Sequence, residues 1–344
     1  MEIFPEAPIY TILHDPAQTN GRFKNKIVKT SFLDFPLARR KHRPFIPLMP
    51  LAAASLNLGS QYDLVISDTA GFAKGIRYNP ATTRHISYIY TPLRYAWEAE
   101  EYLPAILSPL QLAAAEPMLD FLRWWDRRVA QKPDQLIAIS KFIAGKIKTC
   151  YGREAAILHP PVDTDKFFYQ PAKTRTKKLY YLAAGRLLHY KKFDLVIEAF
   201  AKLQLPLKIV GTGPERNNLE QKALNLNAKN VEFLGEVSDE QLRALYSGAK
   251  AFIFPQVEDF GLVAAEAMAC GTPVIAYADG GALEIVEDGK TGLFFKQQSL
   301  ESLMEAVSRL EKTKFDRRRI VSAAQRFSKE KFIENLKQFI IQKT

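Results

Sequence analysis

The sequence predicts an α/β protein built on parallel sheets, and three features of its 344 residues carry that prediction. Short apolar runs of strand length alternate with longer amphipathic segments through the second half. Glycines fall just after several of those runs, where a strand would turn into a helix. The apolar runs are nearly continuous rather than alternating, as in a parallel sheet covered on both faces.

Taken in chain order, YDLVIS (62–67), HISYIY (85–90) and QLIAIS (135–140) read as strands. The last ends at Ser140, a suitable N-cap for a helix beginning KFIAGKIK. Between the second and third lies an aromatic stretch from Tyr90 to Trp125 with Tyr95, Trp97, Tyr102 and Trp124, a core or a groove. The texture changes around HPPVDTDKF (159–167), and the polar tract PAKTRTKK follows. The domain boundary is placed ahead of it, dividing 1–150 from 151–344. Beyond come strands at KLYYLAAG, PLKIVGTG, NVEFLG, AFIFPQ and TPVIAY. Helices run through DLVIEAFAKL, from about Pro214, through DEQLRALY and from about Phe260.

Nearly half the residues are hydrophobic and a quarter charged, a globular balance. No apolar run reaches the roughly 18 residues of a membrane span, and the N-terminus has no signal-peptide pattern. A cytoplasmic protein is expected. Cys150 and Cys270 are too few for a disulfide framework and suit a core. A net charge of +11 calls for an anionic partner. Zinc-finger spacing and RNA-binding signatures are absent from the sequence, so nucleic acid ranks behind phosphorylated substrate and acidic lipid. The densest basic run, Arg39 to Arg43, is followed by PFIPLMP. That pattern suits a solvated loop, or peripheral association with an anionic membrane.

Three strand-end loops hold the informative residues. AAGRLLHYKKFD carries Gly185 and Arg186, with Lys191 and Lys192 a turn later. VGTGPE carries Gly211 and Gly213. FPQVEDFGL carries Glu258 and Gly261 at a helix start, and Glu266 follows after seven intervening residues. A helix N-terminus offers free N–H groups and partial positive charge to phosphate. Arg186 can fork onto phosphate oxygens and Lys191 adds a point charge. Glu266, a turn inside the helix, is then available to a ribose diol, and Glu258 to whatever lies beyond the phosphates. Each piece has a bland reading as turn glycine, solvated cation or structural carboxylate; together they fit one ligand.

Two motifs point elsewhere and are set aside. Asp163-Thr164-Asp165 mimics a metal-binding Asp-x-Asp, but its place at a domain linker suits a turn. Asp259-Phe260-Gly261 mimics a kinase triplet without the rest of the kinase set. The histidines show no metal spacing. No metal and no cofactor is expected.

GRLLHYKKFDLVIEAF, IVGTGPE, VEFLGEVSDEQLRALYSGAKAFIFPQVEDFGLVAAEAMACGTPVIA and DGGALEIVEDGKTGLFF resemble the donor-binding half of retaining glycosyltransferases of family 4, with the GT-B fold of two Rossmann-like domains facing a central cleft. The resemblance implies that Glu258 contacts the transferred sugar and is the catalytic-site carboxylate, while Glu266 binds the ribose. It implies that backbone N–H groups of Phe260, Gly261 and Leu262, with Arg186 and Lys191, hold the donor diphosphate. Lys192 stands where many relatives have glycine.

In the N-terminal half, FPEAPIYTILHDP, KTSFLDFPLARRKHRPFIPLMPLA, YDLVIS and YIYTPLRYAWE resemble bacterial O-antigen and polysaccharide mannosyltransferases. This implies a hexose, mannose from GDP-mannose, moved to a lipid-linked or oligosaccharide acceptor at the inner membrane face. Tyr90, Arg94 and Tyr95 are the sugar or acceptor contacts on that reading. Met1 opens in what resembles the family's first helix, so the N-terminal domain is expected to lack its first strand. The alternatives are a UDP-sugar-dependent transferase of the same fold, or a non-catalytic nucleotide-sugar-binding remnant.

Overall fold

The computed structural model describes residues 2–103, 107–170 and 180–341, with the side chains of residues 101 and 102 set apart. The polar tract at 171–178, the start of the KLYYLAAG run and the Tyr102 side chain lie outside the described residues. The chain divides into two compact units, residues 1–158 and 159–344.

The first unit holds two parallel sheets. β1 (Ile9–Thr11) pairs with β2 (Val28–Thr30). β3 (Leu64–Thr69), β4 (Arg84–Ile89), β5 (Gln135–Ala138) and β6 (Ala156–Ile157) form the other in that order. β6 bonds to β5, which keeps residues up to 158 with this unit. Residues 2–8 are turns and bends, not the first helix that the resemblance implied. Pro5 and Pro8 remove amide donors there, and the first helix among the described residues is Pro36–Arg40. The QLIAIS run ends where expected: the Ser140 hydroxyl accepts from Ile143 N at 3.0 Å and starts helix Lys141–Tyr151, which Gly152 closes at φ 67°.

Inside this unit Lys74 and Asp126, both fully buried, pair at 2.6 Å. The second Asp126 oxygen accepts from Trp97 Nε1 at 2.8 Å, Tyr151 OH at 2.7 Å and Leu93 N at 3.2 Å. Lys74 Nζ also donates to Gly71 O at 2.6 Å. One buried carboxylate thus ties the 71–75 turn and the 93–97 segment to the helix Pro109–Val129.

The second unit is one parallel sheet of β7 (Tyr181–Ala184), β8 (Leu207–Val210), β9 (Val231–Gly235), β10 (Phe252–Phe254), β11 (Val274–Tyr277) and β12 (Gly292–Phe295), in the order β12-β11-β10-β7-β8-β9. Helix Phe193–Leu203 shows why the alternation folds this way. Its Phe193, Val196, Ile197 and Phe200 recur at three- and four-residue spacing, and all are buried against the sheet core. The chain enters the sheet at β7, runs outward through β8 and β9, then returns to lay β10 on the other side of β7. The order reverses between β7 and β10, so their loops diverge to opposite faces and leave a crevice at the strand ends.

Candidate functional site

Four loops meet at that end of the second unit, following β7, β8, β10 and β11. Their spacing is set backbone against backbone. A Cβ on Gly211 would stand 2.0 Å from Gly185 O, and one on Gly213 2.3 Å from Leu187 O. Gly185 and Gly211 also hold φ of 149° and 124°, so no other residue suits either place. On the other side of the crevice, a Cβ on Gly281 would stand 2.2 Å from Phe260 O, and Gly281 N donates to Glu258 O at 2.8 Å.

The β10 loop ends at Gly261, φ 106°, which caps helix Leu262–Ala269. The helix is short and buried except for a stripe of Leu262, Val263 and Glu266. That stripe is the part of the helix that is not fully buried, and Glu266 lies on it. Phe260 contributes only its backbone: its ring is 3% exposed, stacked on His159 at 5.4 Å and met edge-on by Phe327 at 5.3 Å. His159 in turn meets Glu284 at 2.9 Å.

Lys191 and Glu258 form an ion pair that joins the β7 loop to the β10 loop across the crevice, and both side chains are mostly buried. Gln256, 2% exposed, lies 3.4 Å from the same Glu258 oxygen. Arg186 is exposed, with no ion-pair partner among the described residues. Lys192 sits at φ 55°, in the left-handed region, as N-cap residue of helix Phe193–Leu203. That backbone explains why glycine suits the position. A side chain there costs roughly 1–2 kcal/mol, and glycine's extra chain entropy costs about 0.5–1. Lys192→Gly should therefore raise stability by about 0.5–1 kcal/mol, read as a higher urea midpoint at unchanged slope. A lower midpoint would mean that the lysine side chain contributes more than its strain costs.

Glu266 is half-buried, and burial pushes its carboxyl up to about 7, with Asp239 and Asp163 adding repulsion. The Tyr246 hydroxyl donates to it at 3.2 Å, which acts in the opposite direction. A tyrosine donor on one oxygen leaves the carboxylate acceptor capacity to spare. Asp163, the first residue of the Asp-x-Asp, accepts from Lys166 N at 3.3 Å and shapes its own turn.

The N-terminal candidates occupy the other unit. Tyr90 follows β4, edge-on to Tyr88 at 5.4 Å; burial, then the Asp68 charge and bond, push its hydroxyl up to about 12. Arg94 pairs with Glu98 at 3.2 Å, one turn along. Tyr95 lines a cavity of about 330 Å³ with Thr11, Asp68, Phe72 and Leu93.

Four residues of the crevice escape the sequence reading: Tyr246, Gln256, Gly281 and Gly280, where a Cβ would stand 2.6 Å from Glu258 O. The signal for the glycines was present in DGGALE, since adjacent glycines at a strand end mark a tight approach. Tyr246 and Gln256 gave none, because an apolar helix position and a residue behind a strand look like core.

Residues 165–327, all within the second unit, match the family described as glycosyl transferases group 1. That stretch contains Gly185 through Gly281. The chain is 33% identical over 217 residues to a GDP-mannose-dependent alpha-(1-6)-phosphatidylinositol monomannoside mannosyltransferase of Mycolicibacterium smegmatis, covering 56% of this chain and 57% of that protein. The chain thus spans little over half the length of this curated relative. In structure it is similar to Anabaena Alr3699/HepE solved with UDP, at TM-score 0.71 and 19% identity, over 97% of this chain and 91% of that one. A sucrose-phosphate synthase from Thermosynechococcus elongatus gives TM-score 0.69 and 20% identity, over 92% and 82%. These likenesses extend through both units and show the fold: GT-B, with two Rossmann-like domains.

Proposed function

We propose that the protein is a retaining, metal-independent hexosyltransferase of family 4. It moves mannose from GDP-mannose to a lipid-linked or oligosaccharide acceptor in cell-surface polysaccharide synthesis. The observation that carries the reading is the crevice between β7 and β10. There Lys191, Arg186, the first turn of helix Leu262–Ala269, Glu258 and Glu266 surround the carboxyl ends of two adjacent strands.

In this reading the departing diphosphate meets prearranged donors, which take the charge that a metal would otherwise take. Arg186 is the exposed fork that first meets the phosphates, and Lys191 follows by leaving Glu258. Released from its lysine, Glu258 turns to the hexose hydroxyls, and Glu266 accepts from the ribose. Tyr90, Arg94 and Tyr95 contribute to sugar or acceptor contacts. The mannose assignment is supported by the mycobacterial relative, whose name specifies GDP-mannose. A UDP-sugar donor is the second reading, favoured by the neighbour solved with UDP.

Calorimetric titration with GDP, UDP and ADP, followed by transfer assays with the matching sugar in chelator, tests all of this. Tight GDP binding and chelator-resistant mannose transfer are expected. Preference for UDP would move the assignment to the second reading, and nucleotide binding without transfer to a non-catalytic binder.

The same proposal places the protein at the cytoplasmic face of an anionic membrane. No helix among the described residues is long and apolar enough to cross one. Arg39 to Arg43 are exposed, and the helical segment from Arg43 to Ser55 presents Pro44, Leu48 and Leu51 outward at helical spacing. Flotation with vesicles containing phosphatidylglycerol should carry the protein at low salt, and Leu48→Glu with Leu51→Glu should leave it behind. Equal flotation of the double variant would refute this surface.

A further inference from the structure

We infer that Tyr246 is the positioning residue of the ribose site: its hydroxyl holds the Glu266 carboxylate in place and in its hydrogen-bond-accepting form. The inference rests on the reading of Glu266 as the ribose ligand. Tyr246 lies on helix Asp239–Gly248, the crossover between β9 and β10, and is 0% exposed. Phe167 and Phe252 pack edge-on to its ring at 5.9 and 5.5 Å. Thr272 Oγ1 donates to its carbonyl at 2.5 Å, fixing the backbone behind it. The ring therefore has no freedom to choose a partner, and its hydroxyl points to Glu266 Oε2 at 3.2 Å.

The second reason is the balance of forces on Glu266. Asp239 at the start of the Tyr246 helix and Asp163 in the turn of residues 163–167 both disfavour its charge, and Cys270 lies close enough to feel it. Burial acts in the same direction and is the largest influence. The Tyr246 hydrogen bond opposes them and favours the charged form. A ribose diol donates two hydrogens, so it needs the ionised carboxylate, with both oxygens accepting. Without the tyrosine hydroxyl more of the carboxyl would be protonated near neutrality, and its plane would be free to turn.

The test compares a ribonucleoside diphosphate with its 2′,3′-dideoxy counterpart, using GDP and dideoxy-GDP on the full chain. Wild type should prefer GDP, and the preference should grow as pH rises through about 7 and then level off. Tyr246→Phe, which keeps the packed ring, should bind GDP about three- to tenfold more weakly and dideoxy-GDP unchanged, with the half-point of the pH profile moved upward. Its KM for the sugar nucleotide should rise with little change in kcat. Equal weakening for both ligands, or no weakening of either, overturns the inference. Glu266→Gln separates the two levels. If it leaves the GDP preference intact, the ribose reading itself fails. If it removes the preference while Tyr246→Phe does not, only the role of Tyr246 fails. Should Tyr246→Phe not fold, 3-fluorotyrosine at 246, a stronger donor of nearly the same size, should move the half-point downward; an unmoved half-point refutes the role.

Discussion

Glu258→Gln should cut the proposed hexose transfer by about 10²- to 10³-fold, the scale seen when one prearranged polar group that stabilises developing charge is removed. The same substitution should tighten binding of the bare nucleoside diphosphate. Lys191 is held by Glu258 in this structure, so on the proposed reading a diphosphate must win the lysine from a carboxylate. Glutamine fills the same space with no charge to compete. We expect GDP to bind about two- to fivefold more tightly, as for release of a partly solvated ion pair. Sugar nucleotide should gain less if Glu258 serves the hexose as proposed, since that contact is lost too. Initial rates and calorimetry on one protein sample read both effects. Transfer within threefold of wild type would remove Glu258 from the chemistry. Weaker GDP binding would mean that Lys191 does not serve the phosphates.

Lys74→Met should destabilise the first unit by about 3–5 kcal/mol, because it leaves the Asp126 carboxylate buried without its cation. The three hydrogen bonds from Trp97, Tyr151 and Leu93 soften that penalty but all reach the other oxygen. Replacing both partners, Lys74→Met with Asp126→Leu, removes the stranded charge yet leaves three donors unmet, so only part of the loss should return. The chain reports on this unit without added labels. Its three tryptophans are Trp97, Trp124 and Trp125, all within residues 1–158. Urea unfolding followed by tryptophan fluorescence therefore shows whether the midpoint falls. A change under 1 kcal/mol would show that water reaches Asp126 and that the pair is not the keystone of this unit.

The architecture was legible because its signals are local. Runs such as YDLVIS and TPVIAY have strand length and apolar content, and Ser140 marks a helix start within three residues of its own amide partner. The glutamate spacing was legible for the same reason, since both carboxylates sit on one loop and one helix. What was not legible depends on distant pairing. Lys191 and Glu258 are 67 positions apart, and Tyr246 and Glu266 are 20 apart on different helices. A tyrosine in DEQLRALY looks like one more core residue, and it is one, except for a single oxygen. The difference in setting between Lys191 and Lys192 was also hidden in the sequence. The left-handed backbone of Lys192 and the ion pair of Lys191 are properties of the turn, not of the letters. In the N-terminal half, the expected opening helix failed because Pro5 and Pro8 break it, which the motif likeness outweighed.

The flush contacts of Gly211 and Gly213 with the 185–187 turn, and of Gly281 with the 258–260 turn, bear on how such a site diverges. Main chain meets main chain there, so the distance between the loops does not depend on which side chains they carry. Residues such as Thr212, Pro214 and Val257 can be exchanged through descent without shifting the amides around Gly261. Selection on a population of such genes can then retune which base or sugar is preferred, one substitution at a time. The glycines are the positions where that drift must stop.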